Sequence, residues 1–124
     1  LMLTMGSMGE TAATAVDEMR KKGKKVGLVK LRLWRPFPVE EFKAAIAGCK
    51  TLVVMDRALS TGGAGGPVAT DIKSILYGEK KKPRVLNVVA GLGGRDLTVG
   101  DFVNMFGLAN KKKNEIFEFY GVRE

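Results

Sequence analysis

The 124-residue sequence contains no histidine and one cysteine, Cys49, and these two scarcities remove a good deal of chemistry. Without histidine the chain lacks the commonest general base and metal ligand, so neither a Ser–His–Asp triad nor a histidine-ligated zinc hydrolase can be built from it. One cysteine excludes an internal disulfide framework and cannot ligate an iron–sulfur cluster or a cysteine-rich zinc site. No apolar run approaches the roughly 18–20 residues needed to cross a bilayer. The opening LMLTMGSMGE has no basic leader followed by an apolar stretch and a cleavage site. The expectation is a cytoplasmic protein with no membrane partner. Because LMLTM is already strand-like, residues 1–124 are also expected to be a single domain from a longer subunit.

What is present is ordinary globular usage, 45% hydrophobic and 27% charged, with sixteen glycines pointing to many tight turns. Four times an apolar, strand-like run is followed by a Gly- or Pro-rich loop and then a segment of helical period, the rhythm of a parallel sheet covered on both faces. The first unit is Leu1–Met5 and a helix from about Ser7 to Lys22, with Ser7 and Glu10 matching an S-x-x-E capping box, Gly23 as the stop, and Ala12, Val16 and Met19 inward. The second is Val26–Leu33, then WRPFP and a helix from about Pro38 with Val39, Phe42 and Ile46 inward, ended by Gly48. In the third, Thr51–Met55 leads through a glycine cluster to a helix with Gly66 near its cap, Pro67 in its first turn, and Val68, Ile72, Ile75 and Leu76 on one face. The fourth runs from Arg84–Ala90 through GLGGRDLT to a helix capped by Thr98 and ending near Phe106, with Val99, Phe102, Val103 and Phe106 inward. In the tail, the aromatic and β-branched residues Ile116, Phe117, Phe119 and Tyr120 predict a short edge strand.

The formal net charge is +8, which raises nucleic acid as a partner. Position argues against it. Ten of the fourteen lysines fall in three clusters, Lys21, Lys22, Lys24 and Lys25, then Lys80–Lys82, then Lys111–Lys113. Each cluster follows the C-terminal end of a helix, where cations complement the helix dipole. In a parallel α/β sheet that is the pole opposite the ligand-binding ends of the strands. A solvated, dipole-complementing face is the plain reading, and docking of an acidic protein is the other. Nucleic acid is not expected.

The arginines divide differently. Arg35, Arg57 and Arg95 fall in loops after strands, where function is expected, and Arg57 and Arg95 adjoin Asp56 and Asp96. They read either as local ion pairs that pin the loops or as guanidinium forks for a carboxylate, a phosphate or a partner. Neither glycine loop is a nucleotide fingerprint. G-x-G-x-x-G counted from Gly63 lands on Val68, and counted from Gly91 it lands on Asp96; no G-K-[ST] follows either.

Four segments in this order, MGSMGETA (5–12), GLVKLRLWRPFP (27–38), VVMDRALSTGGAGGP (53–67) and GLGGRDLT (91–98), resemble the C-terminal, transketolase-C-like domain of the alpha subunit of 2-oxoacid:ferredoxin oxidoreductases. The likeness is greatest to the pyruvate enzymes. It implies a three-layer α/β/α fold with a mostly parallel, doubly wound sheet, the four strands ordered 2-1-3-4. It also implies an oxidoreductase that uses thiamine diphosphate, magnesium and iron–sulfur clusters, with ferredoxin as redox partner. None of these cofactors is expected on this chain: Gly100-Asp101 is followed by Phe102 where a thiamine diphosphate motif has a second glycine. No catalytic residue carries over.

The expected role is therefore a structural and interaction domain, with Arg35, Arg57, Ser60, Gly62, Gly63, Arg95 and Asp96 facing other domains and subunits of a complex. Two alternatives stay open. One is a module binding an anion such as coenzyme A; the other is a free-standing, flavodoxin-like regulatory domain.

Overall fold

A computed structural model of the chain describes residues 1–111 and 117–121. Five strands form one sheet: β1 (Met2–Met5), β2 (Leu28–Leu31), β3 (Thr51–Asp56), β4 (Arg84–Val89) and β5 (Glu118–Phe119). Every pairing is parallel and the order is β2-β1-β3-β4-β5, so the expected 2-1-3-4 arrangement holds and the tail adds a fifth strand beside β4. Helices α1 (Gly9–Lys21) and α4 (Val99–Lys111) cover one face, and α2 (Val39–Ala45) and α3 (Pro67–Leu76) cover the other. The result is the three-layer α/β/α fold. With α1 and α4 on the same face but their following strands on opposite sides of the sheet, the β1–α1–β2 and β4–α4–β5 connections have opposite hands.

The strands build two cores by simple alternation. Met2, Val53, Met55, Leu86 and Val88 point to one face, against Ala12, Ala15 and Val16 of α1 and Phe102, Met105 and Phe106 of α4. Leu3, Leu52 and Val54 point to the other, against Phe42 of α2 and Val68, Ile72 and Leu76 of α3. Burial on both faces is why these strands read as continuous apolar runs. Met105 and Ala15 join the core beyond the expected set. Ile75 does not: it is half-buried, and Ala69 takes its place on the inner face of α3.

Two local expectations are corrected. The chain turns at Gly6 (φ +80°) into a 3-10 turn, Gly6–Met8, so α1 starts at Gly9 with Met8 as an N-cap that makes no side-chain hydrogen bond. Ser7 and Glu10 therefore form no capping box, and Glu10 instead accepts a bond from Lys30 Nζ at 2.8 Å. Strand β2 is shorter than Val26–Leu33 because its one partner among the described residues, β1, is four residues long and the ladder ends with it. The helix stop at Gly23 stands. There Lys24 N–H donates to Met19 O and Gly23 N–H to Arg20 O, both at 3.0 Å, the paired bonds of a Schellman motif. Helix α4 runs past Phe106 to Lys111. Ile116, Lys112 and Lys113 lie outside the described residues.

Candidate functional site

All strands being parallel, their C-terminal ends share one edge, and the loops after β1, β2, β3 and β4 gather there. The best-defined part is the corner between β3 and α3. Asp56, the last residue of β3, is only 4% exposed and turns inward. Its Oδ1 accepts from Val68 N–H at 3.0 Å, and its Oδ2 from Ala69 N–H at 3.1 Å and Asn87 Nδ2 at 3.0 Å. Asn87, buried in β4, also donates to Val54 O at 3.1 Å and accepts from Gly66 N–H at 2.8 Å. A side-chain carboxylate from one strand and an amide from the next thus cap α3, doing the work an N-cap residue usually does locally.

This network explains the two glycines before Pro67. A Cβ on Gly66 would lie 2.1 Å from Asp56 Oδ2, and one on Gly65 (φ +138°) would lie 2.8 Å from Asn87 Oδ1. No side chain fits at Gly66. The network also decides the anion question at this corner: Gly66, Val68 and Ala69 have spent their N–H groups on Asn87 and Asp56, and Pro67 has none. Burial pushes the Asp56 carboxyl above its ordinary value, against the opposing bonds from Ala69, Val68 and Asn87.

The remaining candidates are scattered along the edge. Arg57 is exposed and makes no pair with Asp56; its Nε lies 3.2 Å from where a Cβ on Gly91 would stand. The expected Asp56–Arg57 pair fails because strand alternation and the demands of α3 turn the carboxylate inward while the arginine points out. Ser60 closes the glycine loop on itself, donating its N–H to Gly65 O and accepting from Gly63 N–H, both at 2.9 Å, with Gly62 at φ +68° making the turn. Arg95 and Asp96 are exposed and form no ion pair with each other; Arg95 Nη1 donates instead to Gly121 O. The ion pairs among the described residues are Lys30–Glu10, Arg35–Asp71 and Lys43–Glu79.

Arg35 is pinned, though not by a neighbour in sequence. Asp71 of α3 accepts Trp34 Nε1–H at 2.7 Å and Arg35 Nη2 at 3.0 Å on the same Oδ2, and the guanidinium sits 4.8 Å from the Trp34 ring centre. The Arg35–Pro36 peptide is cis. Phe37 meets Phe42 edge to face at 5.4 Å, tying WRPFP to the second core.

The expected cap at Thr98 is present and reciprocal: Asp101 N–H donates to Thr98 Oγ1 at 3.2 Å, and Thr98 N–H to Asp101 Oδ2 at 2.8 Å. Tyr120 Oη donates to Asp101 Oδ1 at 2.9 Å, and Tyr120 N–H to Val89 O at 3.0 Å, so the tail is fastened to the same corner. Asp71 and Asn87 are absent from the sequence-based candidates, and Tyr120 figures there only as part of the tail strand. Asn87 carries a signal, as the lone polar residue inside the apolar run VLNVVA.

Around these fixed loops lie exposed apolar side chains: Leu33 after β2 at 51%, Met5 ending β1 at 37%, and Leu59 after β3 at 39%. A cleft of about 490 Å³ at the C-terminal ends of β1 and β2 is lined by Ser7, Lys30 and Arg32, but Glu10 lines it too and its carboxylate holds Lys30. Among the described residues no group of three His, Cys, Asp or Glu is placed to hold a metal ion, and no helix is long and apolar enough to cross a membrane. Gly100-Asp101 lies in the first turn of α4, where Asp101 bonds the capping Thr98, and one cysteine, Cys49, cannot by itself ligate an iron–sulfur cluster.

Fold and edge together define a doubly wound α/β domain without a nucleotide-binding fingerprint. The chain belongs to the family of pyruvate:ferredoxin oxidoreductase core domain II, whose model matches residues 1–102. Pyruvate synthase subunit PorA of Methanocaldococcus jannaschii is 32% identical over 124 residues, 100% of this chain and 31% of that protein. The PorA subunit of Pyrococcus horikoshii is 37% identical over 118 residues, 94% of this chain and 30% of that one. Ketoisovalerate oxidoreductase subunit VorA of Pyrococcus furiosus is 43% identical over 101 residues, 82% of this chain and 25% of that subunit. The chain spans less than a third of the length of these relatives.

Proposed function

We propose that this chain is a non-catalytic structural and interaction domain of a pyruvate:ferredoxin oxidoreductase, and that its strand-end edge packs on a neighbouring domain or subunit of that complex. The whole enzyme would convert pyruvate, coenzyme A and oxidised ferredoxin to acetyl-CoA, carbon dioxide and reduced ferredoxin. Thiamine diphosphate, magnesium and iron–sulfur clusters, bound elsewhere in the complex, would supply the decarboxylation and electron transfer. Pyruvate is taken as the oxoacid from the PorA relatives. The VorA relative, at 43% identity, argues that this domain does not itself choose the oxoacid.

The observation that carries the reading is the state of the edge. The glycine-rich start of α3 is filled by the protein's own Asp56, while Leu33, Met5 and Leu59 stay exposed on the same edge as Arg57. A ligand site needs convergent donors; an interface needs apolar area with a polar rim. Leu59→Asp and Arg57→Glu in the assembled enzyme are expected to reduce subunit co-purification and pyruvate-dependent ferredoxin reduction together, while the melting temperature of the 124-residue chain stays unchanged. Full assembly and turnover in both variants would refute the proposal.

A further inference from the structure

At the other pole, where the helices end and the strands begin, the chain presents a different surface. A cleft of about 600 Å³ has Ile46, Leu76 and Pro83 along its lining, with Lys50, Lys81 and Lys82 among its charges. A second cleft of about 800 Å³ is lined by Arg20, Lys25 and Lys50, and the two meet at Gly48, Cys49 and Lys50. The carboxylate lining the pair of clefts is Glu79, already tied to Lys43 at 2.6 Å. Arg20 Nε donates to Val26 O at 2.8 Å and Lys82 Nζ to the Tyr77 carbonyl at 3.1 Å, and neither neutral acceptor removes the charge. Among the described residues no ion pair neutralises Lys25, Lys50, Lys81 or Lys82. Tyr77, 85% exposed, stands beside Lys82.

We propose that this pole docks an acidic segment of a partner protein. Unneutralised cations around an apolar-lined concavity are complementary to carboxylates flanking an apolar or aromatic side chain, and an exposed tyrosine next to the rim is the residue type that anchors interfaces. A small anion fits less well, because the charges are lysine point charges spread over two clefts rather than donors converging on one point. A duplex fits less well, because the surface is concave and the cations lining it are mostly lysines. Helix-dipole complementation acts within about the last turn of a helix, whereas Lys50, Lys81 and Lys82 lie five or six residues beyond the ends of α2 and α3. This pole lies opposite the edge assigned above, so the two proposals stand or fall separately.

The test is fluorescence anisotropy with the 124-residue chain and a fluorescein-labelled peptide of one phenylalanine between two runs of glutamate. It is read at about 0.01 M salt, where charges act over roughly 30 Å, and again at about 0.15 M, where the reach is roughly 8 Å. Saturable binding that weakens with salt is expected. Lys50→Glu, and independently Lys81→Glu, are expected to weaken it about fivefold or more, while Arg32→Glu, the same charge change at the other pole, leaves it within about twofold. All three positions are exposed, and unchanged circular dichroism checks the fold. The proposal is overturned if the peptide does not bind at low salt, if Arg32→Glu matches Lys50→Glu, or if a DNA duplex binds more tightly than the peptide with the same sensitivity to Lys50→Glu.

Discussion

Replacing Asp56 by alanine removes the acceptor of three hydrogen bonds at once, from Val68 N–H, Ala69 N–H and Asn87 Nδ2. Asn87 keeps its bonds to Val54 O and Gly66 N–H, so the cost falls on the two buried helix amides. Each buried donor left without a partner costs about 1–3 kcal/mol. Against this, the carboxylate's own burial, which pushes its pKa up, is relieved. The net expected loss is about 3 kcal/mol, and at roughly 4 °C per kcal/mol for a chain of this size the midpoint falls by about 12 °C. Asp56→Asn keeps one acceptor oxygen but sets its new donor either against Val68 N–H or against both Ala69 N–H and Asn87 Nδ2, and should fall between alanine and wild type. Arg57→Ala should change stability by less than about 0.5 kcal/mol. Urea and thermal unfolding followed by circular dichroism give all three values. A loss below about 1 kcal/mol for Asp56→Ala, or an equal loss for Arg57→Ala, would refute the account of this corner.

Two further outcomes follow from other contacts. Asp71→Ala should free both Trp34 and Arg35 from α3; since Trp34 is the sole tryptophan, its fluorescence should shift to the red with a loss of about 1 kcal/mol, and an unchanged spectrum would contradict the contact. The Asp101 carboxyl is held below its ordinary value, chiefly by Thr98 N–H and also by Tyr120 and the Thr98 hydroxyl. A lowered carboxylate contributes stability above its unfolded pKa and loses it as pH falls through the folded one. Asp101→Asn should therefore cost about 1 kcal/mol at neutral pH and progressively less below about pH 4; a penalty that persists in acid would show that the charge is not what the cap uses.

Much of the architecture was legible because it rests on local pattern. Val53 and Met55 face one core and Leu52 and Val54 the other, and an apolar run bounded by glycine announces a doubly buried strand whatever its neighbours are. Thr98 and Asp101 cap α4 across three residues of sequence, and Gly23 closes α1 in the same local way. The failures of local reading are as instructive. Ser7 and Glu10 carry the spacing of a capping box, but Gly6 starts a 3-10 turn and Lys30, twenty residues away, claims the glutamate.

The sequence by itself determined the βα rhythm, the two-faced sheet and the family. Which partner each charged side chain takes was decided only by tertiary structure. Asp56 adjoins Arg57 in the chain, yet it serves Val68, Ala69 and Asn87. Arg35 and Trp34 converge on Asp71, and Arg95 reaches Gly121 rather than Asp96. The physical reason is that a buried carboxylate must satisfy its lone pairs with whatever donors the packed elements bring to it. Strand order and helix docking set that choice, and adjacency in sequence does not.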